Sequence, residues 1–111
     1  MEASFASLEC RSDALALRLQ GATDLGRTKD RLVRQAAKLD ERLRDAEAQM
    51  VAGDARKARI RLKNARRVLI AIGFRLRSLT GRRQIGAATR AELQTTIAGL
   101  DTDLRALRRT F

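Results

Sequence analysis

Three stretches of the chain repeat apolar residues at steps of three and four, and no proline interrupts any of the 111 residues. This spacing keeps one apolar stripe on one side of a helix, and it is typical of helices that pack as coiled coils. The most regular stretch runs Ala55, Ala58, Leu62, Ala65, Leu69, Ile72, Leu76, Leu79. The sequence therefore predicts an all-α protein whose core is a set of helix–helix seams.

The other two stretches are less regular. One runs Leu8, Leu15, Ala22, Leu25, Leu32, Ala36, Leu39, Leu43, Ala46, Met50, and the other runs Leu93, Ile97, Leu100, Leu104, Leu107, Phe111. Arg11, Arg18 and Lys29 interrupt the first half of the former. Gly21 and Gly26 each disfavour a helix interior by about 1 kcal/mol, so they predict a bend or a break near 21–26.

Glycines also divide the stretches from one another. Gly53 can end one helix in a left-handed conformation, and Asp54 can cap the amino end of the next. Residues 81–86 contain two glycines and read as a hinge. We predict one domain over 1–111, with helix 4–51, turn 52–54, basic helix 55–80, hinge 81–86 and helix 87–110. This is a long antiparallel helical hairpin, coiled-coil-like, with a third C-terminal helix that either folds back or extends the second.

Helix 55–80 can cover only about half of helix 4–51, so the apolar stripe from Leu8 to Leu25 needs another partner. Either the third helix or a neighbouring copy of the chain can supply it, since an uncovered apolar stripe favours association. We assign a self-assembly seam to Leu8, Leu15, Leu25, Leu93, Ile97, Leu100 and Leu104. This assignment makes a second copy of the chain an expected partner.

The net charge of +11 is concentrated in one segment. Residues 1–53 and 91–111 are each neutral overall, whereas residues 54–90 carry twelve Arg or Lys against Asp54 alone. A surface of one sign is typical of a contact with phosphate groups, which Arg binds through two parallel hydrogen bonds. The candidate polyanion-binding residues are Arg56, Lys57, Arg59, Lys63, Arg66, Arg67, Arg75, Arg77, Arg82 and Arg83.

The sequence offers no catalytic constellation. It has no His to act as a general base or ligand, and one Cys cannot build a zinc site. We expect no enzymatic activity, no metal and no cofactor. The single Cys10 excludes an intramolecular disulfide and fits a reducing cytoplasm. Because no apolar run reaches the length of a membrane span, we expect a cytoplasmic protein, either membrane-peripheral or nucleoid-associated.

The middle of the chain resembles a known family. The stretch KLDER at 38–42, the turn AGD at 52–54 with Lys57 and Ala58 after it, and RLKNARRV at 61–68 are similar to the first helical hairpin of ESCRT-III proteins, most of all the archaeal CdvB-like cell-division branch. The resemblance covers residues 27–80. It implies a subunit that polymerises by sideways packing of long hairpins and binds anionic membrane or another polyanion through a basic helical face, as in membrane remodelling.

The C-terminal stretch adds a second similarity. Leu100, Leu104, Leu107 and Arg108 resemble the motif through which ESCRT-III tails bind the MIT domain of a Vps4-type ATPase, although Asp103 replaces an Arg of that motif. The resemblance implies an MIT-domain ATPase as a partner. A heptad seam accounts for the same leucines.

The basic segment supports three hypotheses for function. The first is a self-assembling, ESCRT-III-like filament subunit that binds anionic membrane through residues 54–90. The alternative is sequence-independent nucleic-acid binding, as in a nucleoid or viral coat protein, because DNA and lipid headgroups both present phosphate. The third is an adaptor whose basic helix docks on an acidic protein.

Overall fold

The structure, a computed structural model, describes residues 4–111 and contains five α-helices in that range. They are α1 (Phe5–Gly21), α2 (Lys29–Val51), α3 (Ala55–Arg77), α4 (Leu79–Gln84) and α5 (Ala87–Arg108), with a single 3-10 turn at Gly26–Thr28. Residues 4–111 contain no strand, and the predicted all-α class is confirmed.

The four long helices form an antiparallel bundle of 44 × 22 × 21 Å. Helix α1 borders α2 and α5, and helix α3 also borders α2 and α5, so α1 and α3 occupy diagonally opposite corners. Ion pairs cross three of the four boundaries: Asp13 with Arg44, Arg66 with Asp101, and Arg18 with Glu92. The third C-terminal helix of the sequence analysis, α5, therefore folds back along α3.

The segment predicted as one helix over 4–51 is two antiparallel helices. The chain leaves α1 at Ala22 in an extended conformation, and Gly26 has a φ of 57°, which favours glycine. Two hydrogen bonds hold this connection: Lys29 Nζ donates to the Ala22 carbonyl at 2.8 Å, and Thr28 Oγ1 donates to the Leu25 carbonyl at 2.6 Å. The break expected near 21–26 is thus a complete reversal of direction.

This reversal also corrects the predicted self-assembly seam. Leu8, Leu15, Leu25, Leu93, Ile97, Leu100 and Leu104 all lie in the core of the single chain, none more than 7% exposed. A continuous helix over 4–51 would leave Leu8, Leu15 and Leu25 uncovered within one chain, whereas α1 and α5 cover one another here. Leu107 is buried as well, so the leucines of the MIT-like motif are not available to a partner while the bundle is closed.

The segment predicted as a hinge at 81–86 belongs largely to helix α4. Helix α3 ends at Arg77, earlier than the predicted residue 80, and Ser78 follows it. The Ser78 Oγ donates a hydrogen bond to the Arg75 carbonyl at 2.7 Å and accepts one from the Gly81 amide at 3.1 Å. The Gly86 amide then donates to the Asp24 carbonyl at 3.1 Å. This bond ties the α4–α5 connection to the α1–α2 connection, so two chain reversals brace the same end of the bundle.

Substituting Gly81 by Ala is expected to destabilise the protein, although alanine is the better helix former. A Cβ at this buried position would overlap the Arg75 carbonyl oxygen and lie 2.9 Å from the Leu76 carbonyl oxygen. Because backbone has to move, the substitution should lower the free energy of unfolding by about 1–3 kcal/mol. Urea unfolding followed by circular dichroism measures this difference.

Gly99→Ala is the matched control. A Cβ at Gly99, within α5, meets no atom within 4 Å, so the same change should raise the free energy of unfolding by up to about 1 kcal/mol. Equal effects at the two glycines would contradict the packing described for the α3–α4 corner.

Candidate polyanion-binding surface

The outer side of α3 follows from its start and its buried stripe. Asp54 caps the helix by accepting a hydrogen bond from the Lys57 amide at 2.9 Å, and Gly53 before it has a φ of 83°. The residues that face the core are Ala58, Leu62, Ala65, Leu69, Ile72 and Leu76. At 100° per residue the opposite side carries Arg56, Ile60, Lys63, Arg67, Ile70 and Phe74, which we name the outer face of α3.

Exposed apolar side chains interrupt the cations on this face. Phe74 is 69% exposed, and Ile60 and Ile70 are 48% and 45% exposed. Sequence reasoning missed these three because it followed only the buried stripe. A signal existed: residues 68–74 are apolar throughout, nearly two turns, so some of them have to point away from the core.

The structure divides the ten predicted cations by their surroundings. Seven are exposed and form no ion pair within residues 4–111: Arg56, Arg59, Lys63, Arg67, Arg77, Arg82 and Arg83. Lys57 is exposed too, with its ammonium 4.0 Å from the Asp54 carboxylate. Arg61, which also belongs to the basic segment, is exposed and unpaired in the same part of the chain. These side chains supply the free positive charge of α3 and α4.

Two predicted cations are committed to contacts inside the bundle. Arg66 is only half-buried, but its guanidinium donates to the Asp101 carboxylate at 2.8 Å, and Arg105 approaches the same carboxylate at 3.3 Å. Arg75 donates to Gln35 Oε1 at 3.3 Å, and partial burial together with the nearby Arg31 lowers its pKa. Both residues brace α3 against its neighbours, so we remove them from the candidate surface.

A cluster of carboxylates lies at the boundary between α1 and α2. Glu9 and Asp13 of α1 lie close to Asp40 and Glu47 of α2, and Arg44 neutralises only part of this cluster. Glu9 and Asp13 lie on α1, which does not contact the basic helix α3, whereas Asp40 and Glu47 lie on α2, which packs against α3.

Glu9→Gln is expected to stabilise the protein at neutral pH. Burial, followed by the charges of Glu47, Asp40 and Asp13, raises the pKa of Glu9, while Arg44 lowers it. The folded state therefore binds this proton more tightly than the unfolded state, and stability falls as pH rises through the window above the ordinary value of 4.5. The melting temperature of Glu9→Gln should exceed that of the unsubstituted protein at pH 7, and the difference should vanish near pH 4.

Glu41→Gln provides the comparison for this test, since its carboxylate is 67% exposed and lies beside Arg42. That variant should not gain stability at pH 7. A Glu9→Gln protein whose melting temperature equals that of the unsubstituted protein at both pH values would contradict the conclusion that the surroundings of Glu9 disfavour its ionised carboxylate.

The described part of the chain contains no cluster of His, Cys, Asp or Glu that could hold a metal ion. Cys10 is exposed on α1, away from α3. In residues 4–111 no helix is long and apolar enough to cross a membrane. The groups that the outer face of α3 presents to solvent are unpaired guanidinium and ammonium groups and exposed apolar side chains.

Comparisons with known proteins found no matching family model, no matching curated protein and no matching solved structure.

Proposed function

We propose that the protein is a non-enzymatic helical bundle that docks reversibly on anionic membrane surfaces through the outer face of α3. One observation carries the proposal: cations without ion-pair partners and exposed apolar side chains share the same face. At a membrane surface the apolar groups can enter the headgroup–acyl boundary while Arg or Lys extend to lipid phosphate.

The apolar side chains favour a membrane over a nucleic acid. A DNA backbone satisfies Arg56, Lys63 and Arg67 but offers no apolar phase for Ile70 and Phe74. Binding of single strands relies on several aromatic side chains for base stacking, and the chain has only three Phe. Two of these, Phe5 and Phe111, lie outside α3 and stack on each other with their ring centroids 5.8 Å apart. A lipid interface accepts both kinds of side chain at once.

The magnitudes support reversible rather than permanent attachment. Each Arg or Lys near an anionic leaflet contributes about 1 kcal/mol. Partial burial of Ile70 and Phe74 adds about 1–2 kcal/mol each, and orienting the protein subtracts part of the total. The ESCRT-III-like resemblance also implies binding to an anionic membrane surface. The proposal does not include filaments built through the predicted seam, because those leucines lie in the core.

Co-sedimentation of nuclease-treated protein with vesicles tests the proposal. Binding to phosphatidylcholine vesicles should be absent and should rise with the fraction of phosphatidylserine. Phe74→Ser should weaken it, whereas Leu17→Ser should not, because Leu17 is equally exposed at 68% but lies on α1. Binding to duplex DNA without binding to vesicles would reject the membrane proposal in favour of a nucleoprotein. Filaments of the protein alone would instead reinstate the assembly hypothesis.

A further inference from the structure

Helix α3 contains a glycine in its interior whose position calls for an explanation. Gly73 is buried midway along the apolar run, and a glycine there disfavours the helix relative to alanine. An alanine Cβ would lie 3.5 Å from Ile97 Cγ2, an ordinary packing distance, so the close approach of α5 does not by itself require glycine. The Arg77 guanidinium takes part of the room left by the missing side chain, and open space remains beside it between α3 and α5.

That space is a groove of about 300 Å³. Its lining is mainly apolar, from Leu69, Ile70 and Gly73 of α3 and Ile97 and Ala98 of α5, and Gln94 of α5 adds one amide. Leu69 and Arg77 are the outermost lining residues on α3, eight residues apart, so the groove is about 12 Å long at 1.5 Å per residue. A mainly apolar groove of this length can hold one extended aliphatic chain.

Two charged groups along the groove determine what the chain carries. The Arg77 guanidinium reaches back over Gly73, near the middle of the groove, 3.3 Å from where a Cβ would stand, and it forms no ion pair within residues 4–111. The Asp101 carboxylate, which also lines the groove, is already bound by Arg66 and Arg105, so it does not repel an anion. The groove therefore joins an apolar channel to one unpaired cation.

We propose that this groove binds the single aliphatic chain of an anionic amphiphile, such as a fatty acid or a lysolipid, with Arg77 on its headgroup. The inference deepens the proposed function and rests on it, because the groove opens beside Ile70 and Phe74 on the outer face of α3. A chain drawn from the bilayer into the groove would fix the orientation of α3 on the membrane.

Titration calorimetry with decanoate below its micelle concentration tests the groove without any vesicle. Saturable binding of one decanoate is expected, with no binding of acetate, which lacks the chain. Arg77→Gln should weaken decanoate binding about tenfold and leave decanol binding unchanged, because only the charged headgroup uses the guanidinium. Binding that is not saturable, or that is unaffected by Arg77→Gln, would overturn the proposal.

Substitutions that fill the groove provide a second test of the decanoate site. Gly73→Leu should abolish decanoate binding, whereas Gly99→Leu, the same change in the separate groove between α1 and α5, should not. Should Gly73→Leu fail to fold, Gly73→Ala requires only a shift of a few tenths of an ångström by the end of the Arg77 side chain, and it should reduce the affinity severalfold. Decanoate binding that survives both substitutions would reject the site.

Vesicle sedimentation of the same proteins separates the two proposals. Vesicle binding without decanoate binding would reject the groove alone. Decanoate binding without vesicle binding would support the groove and reject the membrane surface, and the absence of both would reject both.

Discussion

Replacing Arg56, Lys63 and Arg67 together by glutamate is expected to abolish sedimentation with anionic vesicles and to leave helix content unchanged. All three side chains are exposed, lie on the outer face of α3 and form no ion pair in the described residues. Loss of three cations at about 1 kcal/mol each reduces affinity more than a hundredfold, and the new carboxylates add repulsion. Arg66 is left in place, since a glutamate there would face Asp101 inside the bundle.

The matched control changes the net charge equally at Arg27, Arg34 and Arg109. These are also exposed and unpaired within residues 4–111, but they lie on the 3-10 turn, on α2 and after α5. This variant should retain most of the vesicle binding. Equal losses in the two variants would mean that overall charge, rather than the outer face of α3, determines binding.

Leu62→Asp is expected to unfold the protein. Leu62 is fully buried in α3, and removing a buried leucine side chain to the Cβ already costs about 2–5 kcal/mol. A carboxylate left in the core adds its desolvation penalty. Because domains of this size are stable by only about 5–15 kcal/mol, circular dichroism at 25 °C should show loss of most helix signal.

Ile60→Asp tests whether the position, rather than the charge, is responsible. Ile60 is two residues away on the same helix and 48% exposed on the outer face. Its aspartate can remain in water, so the helix signal and the melting temperature should change little. A folded Leu62→Asp protein, or an unfolded Ile60→Asp protein, would show that the buried stripe of α3 has been drawn on the wrong side.

The parts of the fold that the sequence predicts well are those set by local chemistry. Gly53, with its positive φ, follows the end of α2. Asp54, with its capping hydrogen bond, begins α3 at the point where the spacing of apolar residues changes. The stripe from Ala58 to Leu76 is buried as its spacing indicates. Leu79, at the end of that stripe, is 63% exposed because Ser78 stops α3 first.

The reversal between α1 and α2 could not be predicted from the same signals. The buried stripe of α1 runs through Leu8, Ser12, Leu15 and Leu19, and a buried serine hides its regularity from a count of apolar residues. The connection is held by Lys29 and Thr28, whose hydrogen bonds to backbone carbonyls exist only in the folded chain. In the absence of proline, the two glycines indicate that the helix is weakened near 21–26, but they do not indicate how far the chain changes direction there.

The candidate surface, like the fold, has one part that the sequence predicts and one part that depends on tertiary contacts. Clustering of charge in 54–90 is visible in the sequence and identifies α3 and α4 as the basic elements. Which cations remain free depends on tertiary contacts: Arg66 meets an aspartate 35 positions later, and Arg75 meets Gln35 on α2. The helical repeat places Arg67 opposite the buried stripe, but no local pattern distinguishes Arg66 and Arg75 from Arg77, which also flanks that stripe.

The stacking of Phe5 on Phe111 brings the first and last described turns of the chain together at the pole that also holds the turn at 52–54. The bundle is thereby closed on itself, and its helices form a ring with no privileged starting point. A permuted chain, joined by a short linker from 111 to 4 and opened at Gly53, would retain every helix boundary. Its amino terminus would then stand directly before Arg56, so the basic helix would be the first element to emerge during synthesis.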